Sequence, residues 1–105
     1  MTVTSINQYR VPADRVDDFL GVLDGHIALL RELELVTDRP AQVYAGADKE
    51  GGGYVVEIFD WVDEDASNRA HTHPRVSTVW ESMGPFAEAR GGRPPFEFAN
   101  LPQVR

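Results

Sequence analysis

The chain contains no cysteine. That single absence removes disulfides, thiolate nucleophiles, iron–sulfur clusters and thiolate zinc sites together. Positive charge is also scarce: 10 Lys and Arg stand against 17 Asp and Glu, a formal charge of −7. Such a balance argues against non-specific binding to nucleic acid or to an anionic membrane surface, since either would repel it. Nowhere do about 18 apolar residues run together, the length a membrane-spanning helix needs. The start, Met1-Thr2-Val3-Thr4-Ser5-Ile6, has neither a basic segment nor an apolar run behind it, so no signal peptide is expected. Repeats, linkers and low-complexity tracts are missing too. What is present is 105 residues, 42% hydrophobic and 26% charged. That is one domain's worth of chain, able to fold around a real core. The expectation is a single small, soluble, acidic domain over residues 1–105, working in the cytoplasm.

Thr2 to Val11 alternates loosely and is rich in β-formers, so it is read as a first strand. Alternation puts Val3, Ser5, Asn7 and Tyr9 on one face and Thr4, Ile6, Gln8 and Arg10 on the other. Pro12 breaks the strand and opens a helix, with Asp14, Asp17 and Asp18 suited to its N-terminus. From Arg15 to about Leu35, Val16, Phe19, Leu20, Leu23, Ile27 and Leu30 step by three or four, the mark of a core-facing helical stripe. Val22, Leu29 and Leu33 widen it, so this helix must touch more than one neighbour or border a pocket or subunit interface. His26 falls inside the apolar arc.

A second strand is expected from about Ala41 to Gly46, and a third from Tyr54 to Trp61. The Asp48–Gly53 stretch between them reads as a hairpin loop. Its three glycines are no phosphate cradle, because a strand and not a helix follows. Asp63 is the expected N-cap of a short helix reaching about Thr72. Pro74 opens the next, whose Val76, Val79, Trp80 and Met83 form an i, i+3, i+4, i+7 stripe, and Gly84-Pro85 ends it. Phe96–Leu101 reads as the last strand. The order strand, helix, strand, strand, helix, strand is the split β-α-β arrangement of ferredoxin-like α+β folds. Four antiparallel strands with helices on one face leave the other face bare. A homodimer through that open sheet face is therefore expected, if the face is apolar.

The run Glu57-Ile58-Phe59-Asp60-Trp61, followed by Ala66, His71 and Pro74, together with the element order, resembles the dimeric α+β barrel superfamily. Within it, the likeness is to the antibiotic biosynthesis monooxygenase type. The resemblance covers nearly the whole chain. It implies a four-stranded antiparallel sheet closing into a dimeric barrel, and a cofactor-independent monooxygenase acting on an electron-rich aromatic, polyketide or quinol small molecule. In the superfamily's haem-degrading branch, a strand-one Asn, a Trp and a His on the second helical region make the site; Asn7, Trp61 and His71 or His73 match those types. Cyclases and barrels with no known reaction belong to the superfamily as well.

Oxygenation without a cofactor needs a substrate that itself reduces oxygen, a base near neutral pKa, donors for the phenolate or enolate, and apolar walls. No cofactor and no metal is called for. His71 is the leading base, because histidine titrates nearest neutral pH and the family pattern places a His there; the plain alternative is a histidine capping the end of its short helix. His73 is the other possibility, and the two are poorly spaced to share a metal on one helix face. Asn7, an amide in mid-strand, needs a ligand or a buried hydrogen bond to compensate it. Trp61 is the third candidate catalytic residue, with packing at the strand end as its plain role.

Tyr9, His26, Glu57, Trp80 and Met83 complete the candidate substrate-binding set with His73. His26 reads as a satisfied core or pocket-wall histidine, and Trp80 and Met83 as core. Glu57 shares a face with Val55, Phe59 and Trp61; it is an acid/base candidate if that face is buried, or a salt-bridge partner across a dimer. Four functions compete: the oxygenase, a haem-binding or haem-degrading protein, a cyclase or isomerase, and a non-catalytic small-molecule-binding or dimerisation module.

Overall fold

The computed structural model describes residues 2–105. Strand β1 runs Val3–Val11, helix α1 Val16–Glu32, β2 Gln42–Ala47 and β3 Gly53–Trp61. Helices α2 (Ala66–His71) and α3 (Pro74–Met83) follow, and β4 covers Phe96–Pro102. Short 3-10 turns at Ala13–Arg15 and Gly84–Phe86 lead into α1 and out of α3. The strands form one antiparallel sheet in the order β2-β3-β1-β4. This is the ferredoxin-like α+β fold expected from the order of elements.

Register decides what meets what. Ser5, Asn7 and Tyr9 stand opposite Phe59, Glu57 and Val55 on β3, and opposite Asn100, Phe98 and Phe96 on β4. Paired residues share a face, so all of these point toward the helices. The helix-facing residues of β1 and β3 are buried, apart from Val3, which is partly so. Phe19, Leu23, His26, Leu29 and Leu30 of α1 are buried as well. The core falls into two apolar clusters. One gathers Phe59, Trp61, Leu29, Leu30 and Val76, the other Tyr9, Val55, Phe19, Leu23 and Met83. Along β3 the charged Glu57 separates Phe59 from Val55, and so stands where the two clusters part.

Two local features differ from the sequence reading. Helix α1 stops at Glu32 and not near Leu35, because Glu34 takes a left-handed conformation with φ 58°. The Leu35 N–H then donates to the Leu30 carbonyl at 3.0 Å, and that of Glu34 to Arg31 at 3.0 Å, the bonding of a Schellman stop. Asp63 does not cap α2; its carboxylate accepts from the Asp65 N–H at 2.9 Å and pairs with Arg69 within that helix at 3.0 Å. The bare sheet face carries Ile6, Val56 and Ile58, half-buried, with Tyr44 and Leu101 exposed, but no phenylalanine. Phe59, Phe96 and Phe98 all project from the helix side.

Candidate functional site

Between the sheet and the helices lies a cavity of about 400 Å³. Its floor comes from alternate residues of β1, namely Ser5, Asn7 and Tyr9. Phe59 and Trp61 of β3, and Phe96, Phe98 and Asn100 of β4, extend the floor on either side. The roof is His26 of α1, Ser67 and His71 of α2, and Trp80 and Met83 of α3. Asn7, Trp61 and His71 are thus brought to one chamber, together with Tyr9, His26, Trp80 and Met83. Trp61 is also tied down, its Nε1–H donating to the Asn100 amide oxygen at 3.1 Å.

Two of the sequence candidates do not reach the chamber. His73 stands outside it as the N-cap of α3, its Nδ1 accepting from the Arg75 N–H at 3.2 Å. Pro74 causes this: it forces the preceding residue into an extended conformation and turns that ring away from the α2 face. Glu57 lies one layer behind the wall and is fully buried at 0% exposure. Its face is packed under helices, so it is not available for a salt bridge across a dimer.

Glu57 is instead held by three donors. Its Oε1 accepts from Asn7 Nδ2 at 3.0 Å and from the Tyr9 hydroxyl at 2.8 Å. Its Oε2 lies 3.0 Å from His26 Nδ1. His26 Nε2 in turn accepts from Trp80 Nε1 at 3.0 Å, and Ser5 donates to the Asn7 amide oxygen at 3.0 Å. Among the described residues, no buried side-chain nitrogen or oxygen lacks a partner. The polar centre is therefore closed, which is what a buried carboxylate requires. Asn7 finds the buried hydrogen bond that its mid-strand position demanded. Burial, then the nearby Glu57 charge, then the hydrogen bond to it together push the Tyr9 hydroxyl well above the ordinary tyrosine range.

His71 is the contrasting case. Its ring sits 4.7 Å from that of Trp80, edge to face, and it is exposed at the rim. Nδ1 lies 2.7 Å from the Ser67 carbonyl, an acceptor only, so Nδ1 carries the hydrogen. Nε2 is left as an acceptor with no protein partner among the described residues. Of the two cavity histidines, His26 has both nitrogens engaged and His71 has one free.

Ser5, Ser67, Phe59, Phe96, Phe98 and Asn100 also line the chamber and were not among the sequence candidates. Ser5 carried a signal, since it shares the Asn7 and Tyr9 face by alternation; so did Ser67, four residues before His71 on one helix. Phe98 and Asn100 carried none until β4 was known to pair with β1.

No protein-family model and no curated protein sequence matches the chain. Solved structures do. SnoaB of Streptomyces nogalater, a cofactor-independent oxygenase, superposes with a TM-score of 0.71 at 16% identity, over 99% of this chain and 94% of that one. A structure described as an antibiotic biosynthesis monooxygenase gives 0.71 at 14% identity, covering 98% and 99%. The fold is that of the antibiotic biosynthesis monooxygenases. The same fold is found in a dimeric ferredoxin-like protein of unknown function from Jannaschia, with a TM-score of 0.61 at 17% identity over 98% of this chain and 100% of that one. The monooxygenase fold explains why a sheet roofed on one side encloses a chamber here, and its neighbours include both an oxygenase and proteins without a known activity.

Proposed function

We propose that the chain is a cofactor-independent monooxygenase for a small electron-rich aromatic, an anthrone-like or quinol compound, bound between sheet and helices. The observation that carries this reading is the chamber itself: aromatic walls around a histidine whose Nε2 is unengaged. Its volume of about 400 Å³ falls within the usual range for small-molecule sites, ~300–1,000 Å³. Flat apolar walls from Trp61, Phe59, Phe98 and Trp80 suit a planar ligand.

In the reaction, His71 Nε2 removes a proton from the activated carbon or hydroxyl of the substrate, and the electron pair stays on the substrate as an enolate or phenolate. That anion transfers an electron to dioxygen, and recombination forms a carbon–oxygen bond and a hydroperoxide. The imidazolium supplies the proton of that hydroperoxide. His71 Nε2 then takes the remaining hydrogen from the same carbon as the O–O bond breaks; the departing hydroxide carries that proton off as water, and the quinone is left. One oxygen atom enters the product and the other leaves as water, so no external reductant is consumed. Ser5 and Asn100, at the chamber wall, supply polar contacts for the substrate oxygens.

We further propose that the bare sheet face is covered by a second copy. Ile6, Val56, Ile58, Tyr44 and Leu101 form an apolar patch there, and the Jannaschia neighbour is described as dimeric.

The test is oxygen uptake with an anthrone such as dithranol. The parent protein should consume oxygen and release the quinone, and His71→Ala should lower the rate by about a hundredfold, the ordinary contribution of a general base. Equal uptake by parent and variant removes His71 from the mechanism. Binding of the anthrone without uptake favours the non-catalytic module, and rearrangement without uptake the cyclase.

A further inference from the structure

The closed network behind the chamber contains more chemistry than the reaction above uses. Trp80 Nε1–H can only donate, so His26 Nε2, 3.0 Å away, must be the accepting nitrogen. The ring hydrogen then sits on Nδ1 and points at Glu57 Oε2, 3.0 Å off. Glu57 receives hydrogen bonds from His26, Asn7 and Tyr9 and offers none, the pattern of an ionised carboxylate. A buried carboxylate that fixes a histidine by its Nδ1–H, with Nε2 facing a cavity wall, is the arrangement that makes an imidazole a strong proton acceptor. Here a single indole N–H stands on that acceptor.

We propose that His26 and Glu57 form a second, masked base of this chamber, and that Trp80 is its removable cap. The inference rests on the chamber being a site for an acidic aromatic ligand. When the indole swings off Nε2, a ligand hydroxyl takes its place as donor. The ligand O–H bond breaks, an N–H bond forms at Nε2, and the electron pair remains on the ligand oxygen. The resulting imidazolium is stabilised by the Glu57 charge. Glu57 acts through His26 and is a positioning residue.

Trp80 is suited to move. It is only partly buried, whereas Glu57 and His26 are 0% and 2% exposed. Its ring is shared, since His71 packs on it edge to face at 4.7 Å. A planar ligand that inserts beside His71 competes for that indole. The titratable groups facing His26 are Glu57 from β3 and, behind it, Tyr9 from β1, with His71 of α2 across the indole. Substrate insertion and unmasking of the second base are thereby coupled through one side chain.

The experiment uses the full chain carrying His71→Ala, which removes the exposed base, and a nitronaphthol whose absorbance separates phenol from phenolate. The methyl ether of the dye, which cannot ionise, reports binding alone through tryptophan quenching. The dye should bind as the phenolate, and His26→Phe or Glu57→Gln should shift it toward the phenol by roughly tenfold in equilibrium constant. Trp80→Phe should shift it the other way. Nitrogen NMR of the histidine rings should show His26 as the Nδ1–H tautomer with Trp80 in place, and this holds without any ligand. If the ether binds but ionisation ignores His26 and Glu57, the masked base is overturned while the chamber stands. Ionisation that is the same with and without Trp80→Phe overturns the cap. Failure of the ether to bind overturns the chamber reading and this one with it.

Discussion

At the scale of single residues, the distinction between His71 and His26 comes from what each ring nitrogen touches. Both occupy the chamber wall, yet only His71 keeps an acceptor free among the described residues. Tyr9 shows how the buried charge propagates. Its hydroxyl is one of three donors on Glu57 and its ring packs edge to face on Phe19 at 4.9 Å. Tyr9→Phe keeps the ring and deletes the donor, so chemical denaturation should show a loss of about 2 kcal/mol, the scale of a hydrogen bond to a charged group. The folded hydroxyl resists ionisation more than the unfolded one. Its contribution is thus intact below the ordinary value of 10.0 and drains away as pH rises above it. Stability of the parent should fall in that alkaline window more steeply than that of Tyr9→Phe. Equal slopes would mean the hydroxyl does not titrate abnormally.

At the scale of elements, periodicity explains most of what formed. The three-and-four spacing of Phe19, Leu23, His26 and Leu30 made α1, and alternation made β1 and β3. Their ends obey other physics. Glu34 holds a left-handed backbone that costs an L side chain about 1 kcal/mol and costs glycine little. Glu34→Gly should therefore raise the thermal midpoint slightly, with a gain of roughly 0.5 kcal/mol after glycine's unfolded-state entropy is counted. An unchanged or lower midpoint would show that Glu34 is unstrained. The helix end was not legible because nothing in Leu33-Glu34-Leu35 advertises a stop; the bonds that make it are visible only once Leu35 is seen buried against the core. Likewise, Asp63 was a plausible cap by type, but Arg69 claims its carboxylate. That guanidinium, together with the Asp65 N–H, holds the Asp63 carboxyl below its ordinary range.

At the scale of the whole molecule, the two faces of the sheet have different fates. The helix side encloses the chamber, and the other side presents Ile6, Val56 and Ile58 without a covering layer within the chain. A second copy is the covering we propose, so the parent should sediment at twice its 11.7 kDa. Ile58→Lys, which sets a charge in the middle of that patch, should return the protein to a single-chain particle while far-ultraviolet dichroism stays native. A parent that already sediments as one chain would remove the dimer. Charge has a role at this scale as well, since a formal charge of −7 repels polyanionic surfaces such as nucleic acid.

Local order in the chain was enough to determine the α+β class, the order of its elements, the shared face of Ser5, Asn7 and Tyr9, and the apolar arc that holds His26. These follow from periods of two and 3.6 residues, which any short window displays. Tertiary structure alone decided that Asn7 stands opposite Glu57, that Trp80 donates to His26, and that Phe98 and Asn100 join the chamber. Each of those depends on which strand or helix lies alongside another. That choice is made by packing distant segments together, and no repeat within a single segment records it.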